Sequence, residues 1–241
     1  MSVFPERQIS RSDPHEDPAE PLVSHIIELR SRLIWSLLFW AAGTTLCYGA
    51  SGGLLDWLAR RAGGVVFTMP AEAFLIRLKA AAFLGFLAAL PLILHQAWLF
   101  VARALSPALR RLAFALAAAS YGLFALGAAI ALFLVLPAAM RVLLAFGSDD
   151  IRPLMTLSGY LGFAASLTLA FGGVFQIPIV LVVLNRIGLV SRRALRERWR
   201  YVYLGAVALS ALLTPGPDVV SQLALAVPSI AVFELTMLVL S

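Results

Sequence analysis

The sequence predicts an all-α membrane protein with six transmembrane helices and both termini on the cytoplasmic side. Hydrophobic residues make up 61% of the 241 residues and charged residues only 13%, against about 25% charged residues in a soluble domain. The mean hydropathy is +0.91. Long apolar segments recur along the chain, and about 20 apolar residues are enough to cross a bilayer. These observations indicate a polytopic membrane protein.

The N-terminus differs from the rest of the chain. Residues 1–20 are polar, charged and proline-containing, which predicts a disordered cytoplasmic segment followed by one membrane domain over residues 21–241. The membrane domain begins with apolar residues at helical spacing, which predicts a short amphipathic helix at the membrane interface. Glu28 and Arg32 share its polar face. No cleavable signal peptide is expected, because the first apolar run begins only near Leu33.

Six apolar segments are predicted to cross the membrane, at about 33–50, 75–102, 112–136, 160–184, 201–213 and 219–240. Pro70 is expected to stop any helix before the second span, and Pro137 to end the third. The fifth span is only about 20 Å long, so the last two spans are predicted to form a short hairpin that thins the bilayer or turns below its surface. Most of the 19 Lys and Arg residues lie in the N-terminal segment and in the loops 103–111 and 185–200. This asymmetry predicts that both termini are cytoplasmic.

The stretch FGGVFQIP, from Phe171 to Pro178, lies within an uncharged run that extends over residues 153–185. Gln176 is the strongly polar residue in its middle, and a primary amide in hydrocarbon is costly unless it finds partners. The two glycines allow another backbone to come close, and Pro178 weakens the local helix. Two interpretations stay open: a hydrogen bond that only holds the bundle together, or a site for a partner helix.

Other polar groups at or near membrane depth are few. They are Gln96, Gln222 and Glu234, with Glu72 and Asp218 near the outer face. Glu234 allows a rival function, proton relay in a proton-coupled small-solute transporter, although a protonated or hydrogen-bonded carboxyl is the favoured interpretation. On the predicted cytoplasmic face, Glu28 can pair with Arg32 for a few tenths of a kcal/mol. It can instead bind an arginine of a partner, in a bidentate bond that strengthens on desolvation.

Several function classes are disfavoured by the sequence. It contains no zinc-protease or serine-hydrolase motif and no P-loop, so no enzyme activity and no cofactor are expected. Cys47 is the single cysteine, and the three histidines are scattered, so no metal site is expected. The net charge of +6 is carried by loops between apolar runs, which argues against a nucleic-acid partner.

Seven motifs occur in a distinctive order. They are HIIELRSRL, TMPAEAF followed by Lys79, Pro91 with HQAWLF, FGGVFQIP, ERWRY, TPGPDVVSQ and AVPSIAVFE. In order and spacing they resemble TatC, the family of multispanning receptor subunits of the twin-arginine protein translocase. The resemblance runs from about Pro21 to the C-terminus.

The resemblance implies a curved, glove-like bundle in the cytoplasmic (inner) membrane. It also implies that the protein binds twin-arginine signal peptides and helps to export folded proteins using the proton-motive force. The implied partners are the single-span proteins TatA and TatB, the signal peptides, the lipid bilayer and other TatC copies in an oligomer. By position, the matched residues are Glu28 and Arg30 for signal-peptide binding; Gln176, with Phe171 and Pro178, for the buried polar site; and Pro70, Glu72, Phe74, Asp218 and Gln222 for the outer loops.

One position departs from the family pattern. The family usually carries a glutamate in the first cytoplasmic loop, but the matching residue here is Leu109, and a loop proline is replaced by Arg103. No acidic residue lies between Glu72 and Asp149. The departure predicts arginine binding that is weaker by about 1–3 kcal/mol, with Glu28 carrying the site alone. The alternative is a divergent scaffold paralogue that does not bind signals.

Overall fold

The computed structural model describes residues 19–62, 65–66, 69–104, 107–145, 155–213 and 219–239. Its helices are α1 (Ala19–Cys47), α2 (Ser51–Ala62), α3 (Pro70–Ala104), α4 (Pro107–Ile130), a π-helical turn (Ala131–Val135), α5 (Leu136–Leu144), α6 (Leu157–Val174), α7 (Ile177–Arg186), α8 (Arg192–Glu197), α9 (Trp199–Leu213) and α10 (Val219–Val239). The N-terminus was predicted to be disordered, but residues 1–18 lie outside the described part. Asp218 also lies outside it. Residues 19 and 20 are already helical.

The first helix is continuous where the sequence predicted two pieces. The amphipathic segment and the first span form a single helix of 29 residues. Neither glycine nor proline occurs between Pro21 and Gly43, so nothing in the chain interrupts the hydrogen-bond ladder. Glu28 therefore lies on the same continuous helix that packs against α3 in the bundle.

The break after α1 comes earlier than predicted. The chain turns at 48–50 and continues as α2, bent by 76° from the axis of α1. Gly52 and Gly53 lie inside α2. Leu55 and Leu58 are buried while Arg60 and Arg61 are exposed, which gives α2 the amphipathic pattern of a helix at a membrane interface.

Pro70 and Pro137 do not end helices, contrary to the prediction. Pro70 is the first residue of α3, a position where the missing N–H costs nothing. Pro137 lies in the first turn of α5 and directly follows the π-helical turn. Because Pro137 cannot donate to the carbonyl four residues before it, the ladder widens by one residue here, and the N–H of Leu136 bonds to the carbonyl of Ala131. The third helical segment thus continues to Leu144.

The predicted fourth span is interrupted at the residues that drew attention in the sequence. α6 ends at Val174, a turn covers Phe175 and Gln176, and α7 begins at Ile177. Pro178 occupies the first turn of α7, where it has no N–H to complete the ladder of α6. The break places the Gln176 side chain where two helix ends meet.

Three stretches of the described chain are long and apolar enough to cross a membrane: Ala71–Ala102, Ala115–Leu144 and Leu157–Arg186. The bent pair Ile26–Cys47 and Ser51–Ala62 makes a fourth if it is counted as one span. Of the two predicted short spans, α9 has 15 residues and α10 has 21, with the apolar stretch Gln222–Leu238 in the latter. The structure therefore shows an all-helical membrane protein, while the count of six spans stays a prediction.

α6 is the central helix and contacts α2, α3, α4, α9 and α10. α3 packs against α1 and α4, and α4 packs against α6. The main core includes Ile76, Leu136, Leu161 and Phe171, all almost completely buried. A smaller cluster under Phe233 and Met237 joins α10 to α7 and α9. Polar side chains meet between α1 and α3 and between α4 and the α6–α7 break.

Candidate functional sites

The register between α1 and α3 is set by a close backbone approach. A Cβ atom added to Gly43 would lie 2.6 Å from the carbonyl oxygen of Gly85, so only glycine permits this crossing. The indole N–H of Trp40 donates to the carbonyl of Ala82 over 2.9 Å. The antiparallel register brings Arg32 of α1 to Gln96 of α3, 64 residues away.

Glu28, Arg32 and Gln96 form one hydrogen-bonded group. The guanidinium of Arg32 donates to Glu28 Oε1 through Nη2 at 3.3 Å and Nε at 3.4 Å. Its Nη1 donates to Gln96 Oε1 at 2.8 Å. The side chains of Arg32 and Glu28 are only 23% and 10% exposed, so the ion pair is shielded from water more than an ordinary surface pair. The site holds a guanidinium between a carboxylate and an amide oxygen.

The sequence left two possible partners for Glu28, Arg32 or an arginine of another protein, and in the structure Glu28 pairs with Arg32. Arg30 is exposed and forms no ion pair within the described residues. Leu109 lies in α4, but its side chain is outside the described part, so the structure does not test the departure from the family pattern. Gln96, predicted only as a polar residue at or near membrane depth, proves to be the second acceptor for the guanidinium.

Gln176 is fully engaged as a donor. Its Nε2 donates to the carbonyl of Ser120 at 3.0 Å and to the carbonyl of Gly172 at 3.4 Å. The hydroxyl of Ser120 donates to Gln176 Oε1. Ser120 is buried in the middle of α4, so these bonds tie α4 to the α6–α7 break. The structure thus shows the bundle-holding bond that the sequence allowed. The lone serine in the apolar run of α4 was the signal that sequence reasoning missed.

Two close contacts hold the same interface in register. A Cβ atom on Gly127 would lie 2.8 Å from the carbonyl oxygen of Phe171. Gly172 leaves room for the ring of Phe124, which a side chain at this position would strike. Phe171 is completely buried, so it acts as a core residue beneath the polar site. Pro178 is half-buried in α7.

An apolar groove of 430 Å³ runs past Gln176. Its walls come from the C-terminal half of α3 and from α7, and Ser120 and Gln176 are its polar residues. The lining residues are Leu94, Ala97, Trp98, Val101, Ser120, Gln176, Ile179, Val180, Val183, Leu184 and Ile187. An apolar groove with one amide at its floor suits an apolar helix that carries a single polar side chain.

The predicted outer-loop residues are spread over two elements. Pro70 and Glu72 form the first turn of α3, where the backbone N–H of Glu72 donates to the carbonyl of Met69 at 3.0 Å. The negative charge of Glu72 suits this helix N-terminus. Phe74 is 62% exposed and lines a separate groove of 680 Å³ with residues of α2. On α10, Gln222 Nε2 lies 3.5 Å from the carbonyl of Val207.

Glu234 is paired within the described part of the chain. Its Oε2 accepts from Arg196 Nη1 at 2.9 Å, and its Oε1 accepts from the hydroxyl of Tyr203. These bonds join α10 to α8 and α9. No group of three or more histidine, cysteine, aspartate or glutamate residues suited to a metal ion occurs among the described residues.

Comparison with known proteins decides the family. The family model described as "Sec-independent protein translocase protein (TatC)" matches residues 24–228. The chain belongs to the TatC family. The TatC protein of Carboxydothermus hydrogenoformans is 35% identical over 228 residues, which cover 93% of this chain and 94% of the relative. That of Escherichia coli K12 is 33% identical, with coverage of 91% and 87%.

A solved structure supports the same assignment. The crystal structure of the twin arginine translocase receptor TatC in DDM is 30% identical to this chain and superimposes with a TM-score of 0.78, covering 90% of this chain and 99% of that one. The function predicted from the motifs is therefore confirmed at the family level: this TatC protein is a component of the Sec-independent protein translocase. It is a multi-pass protein of the inner membrane, and its role is transport.

Proposed function

We propose that this TatC protein binds the twin-arginine signal peptides of folded cargo and, with its partners, exports that cargo at the expense of the proton-motive force. The observation that carries the proposal is the Glu28 carboxylate, which already holds a guanidinium in a half-buried position. The similarity to a solved twin arginine translocase receptor supports it. The site therefore has the chemistry that an arginine-reading receptor needs.

Exchange of arginines is the mechanism that the geometry favours. A signal-peptide guanidinium takes the place of Arg32 on Glu28, so one charge pair replaces another and binding stays reversible. Gln96 Oε1 lies 2.8 Å from the bound guanidinium and acts as the second acceptor. It takes the role of the family's loop glutamate, which is replaced by Leu109 in this chain. A neutral amide oxygen binds a guanidinium more weakly than a carboxylate does. We therefore expect weaker affinity for the arginine pair than a two-carboxylate site gives.

The proposed partners are TatA, TatB and further TatC copies within the bilayer. The apolar groove beside Gln176 suits a single-span helix. Both N–H donors of the Gln176 amide are engaged within the chain, whereas its oxygen retains one lone pair. A partner helix should therefore present a hydroxyl or another donor at this depth. Asp218 and the outer turns of α3 and α10 are proposed as further contacts for these partners, and Arg30 as a further contact for the signal peptide.

The proposed architecture completes the predictions from the sequence. Six spans form a curved, glove-like bundle, both termini are cytoplasmic, and residues 1–20 and 21–241 make the predicted N-terminal segment and membrane domain. The predicted last two spans, with 15 residues in α9 and 21 in α10, form the short hairpin. In this orientation Glu28 lies at the cytoplasmic face, where signal peptides of unexported cargo arrive.

Export in living cells tests the proposal. In a strain without its own TatC but with TatA and TatB supplied from the same source, the chain should restore export of a folded reporter with a twin-arginine signal. Glu28→Gln should reduce export at least tenfold, because it removes the charge that pairs with the arginine. The matched control is Glu197→Gln, since Glu197 also accepts from an arginine four residues away, at 3.0 Å, but is 65% exposed. Equal export by both variants would contradict the proposal and favour a scaffold role.

A further inference from the structure

A small basic pocket lies at the end of the bundle opposite Glu28. Its volume is 290 Å³, and α2, α5 and the N-terminal turn of α6 meet around it. The lining residues are Arg61, Leu132, Pro137, Met140, Arg141, Leu144 and Tyr160. The pocket thus combines two guanidinium groups and a phenol with aliphatic walls, and none of the described residues that line it is acidic.

Aromatic rings and a backbone carbonyl, rather than a carboxylate of the described residues, hold the two arginines in place. Arg61 lies over the ring of Trp57, 4.5 Å from its centroid, and 5.3 Å from that of Phe133. Nε of Arg141 lies 3.4 Å from the carbonyl oxygen of Pro137. Neither arginine forms an ion pair within the part of the chain that the structure describes. Two like charges facing one cavity repel each other, so the arrangement favours an anion between them.

Tyr160 gives an independent indication of a ligand. The residue is only 4% exposed, yet its hydroxyl forms no hydrogen bond to any of the described residues. A buried hydroxyl without a partner costs free energy. Tyr160 lines the same pocket as the two arginines, so an oxyanion bound there would give all three side chains an acceptor.

The surroundings of the pocket are apolar and face outward. Leu132, Met140 and Leu144 belong to Ala115–Leu144, one of the stretches able to cross a membrane. On the same stretch, Phe133 is 59% exposed and Leu134 is 68% exposed. An anion in the pocket therefore lies next to a surface that acyl chains cover in the bilayer. A free phosphate would gain nothing from that surface.

We propose that this pocket binds the phosphate of an anionic phospholipid. The guanidinium forks of Arg61 and Arg141 bind the phosphate oxygens, the Tyr160 hydroxyl donates to one of them, and one acyl chain runs along Leu132 and Leu144. Arginine suits this role because its planar donors match phosphate geometry. The lipid would join α2, the π-helical region and α6 at one membrane surface.

Native mass spectrometry of the full-length protein in detergent tests this proposal. Phosphatidylglycerol is titrated against phosphatidylcholine with the same acyl chains, with inorganic phosphate as a competitor. We expect tight retention of phosphatidylglycerol and an affinity about tenfold lower in Arg61→Gln/Arg141→Gln. The matched control is Arg60→Gln/Arg77→Gln, which removes the same charge from exposed residues that do not line the pocket and should bind like the unmodified protein.

Three outcomes would overturn the proposal. The first is equal phosphatidylglycerol binding by the two double variants. That result would mean that the anionic lipid is attracted by the positive charge of the protein in general and not by this pocket. The second is displacement of the lipid by millimolar inorganic phosphate, which would assign the pocket to a free anion. The third is unchanged lipid binding by Tyr160→Phe, which would contradict the hydroxyl contact. This variant removes a single oxygen, so it tests the pocket even if the double arginine variant does not fold.

Discussion

Among the described residues, two other side chains shape the environment of Glu28, one near in sequence and one far away. The pairing with Arg32 follows from a separation of four residues on a helix, so the sequence could offer it as an alternative. The contribution of Gln96 depends on the antiparallel register of α1 and α3, 64 residues apart. That register depends in turn on the contact between Gly43 and Gly85. No local pattern reveals which glycines of two apolar helices will meet.

The glycine contact gives a prediction for stability. Gly43→Ala places a methyl group 2.6 Å from the Gly85 carbonyl oxygen, and neither backbone can move away cheaply. We expect a loss of about 1–3 kcal/mol, the usual cost of overpacking. Gly122→Ala is the control, because nothing lies within 4 Å of its added Cβ. Thermal unfolding in detergent can be monitored by the reaction of Cys47 with a thiol-reactive dye. The unfolding midpoint should fall for Gly43→Ala and not for Gly122→Ala. Equal midpoints would contradict the close crossing.

At the scale of the helices, prolines explain most differences between expectation and structure. The sequence predicted that Pro70 and Pro137 end helices, but proline is accommodated in the first turn of a helix. Pro70 begins α3, and Pro137 is absorbed by a π-helical turn. Pro178 behaves as expected and coincides with a break after Val174. Whether a proline ends, begins or widens a helix depends on packing, which composition alone does not contain.

The break before Pro178 gives the second prediction. Gln176→Leu removes the hydrogen bonds to Ser120 and Gly172 and makes the groove floor apolar. Val180 is an exposed residue of the groove, and a cysteine placed there can be crosslinked to a partner helix. We expect this crosslinking to fall severalfold in Gln176→Leu. Ser120→Ala is the comparison, because it removes the hydroxyl but keeps the Gln176 amide. Unchanged crosslinking and export in Gln176→Leu would show that the amide only holds α4 to α7.

For the whole molecule, the sequence predicted the class, the family and the membrane location, because the apolar runs and the seven motifs carry them. Span boundaries were less accurate, since the chain has one long α1 where two pieces were expected. The pairing of Glu234 with Arg196 and Tyr203 could not be predicted either. It joins α8, α9 and α10, three elements whose arrangement is a property of the folded bundle.

Topology is the prediction that belongs to the whole molecule. In a Cys47→Ser background, Ala145→Cys and Leu189→Cys each introduce a thiol at an exposed position, after α5 and after α7 respectively. With six spans and cytoplasmic termini, a membrane-impermeant maleimide added to spheroplasts should label Ala145→Cys and not Leu189→Cys. Lysed membranes are the control in which both positions should react. Labelling in the reverse pattern would contradict the predicted orientation.

Direct binding of signal peptides tests the central claim most sharply. The purified full-length protein in nanodiscs is titrated with a fluorescent twin-arginine signal peptide and with the same peptide carrying two lysines. A receptor built on Glu28 and Gln96 should prefer the arginine peptide by about tenfold or more, because lysine lacks the planar donor fork. Glu28→Gln should abolish that preference. Equal affinity for the two peptides in the unmodified protein would contradict arginine recognition.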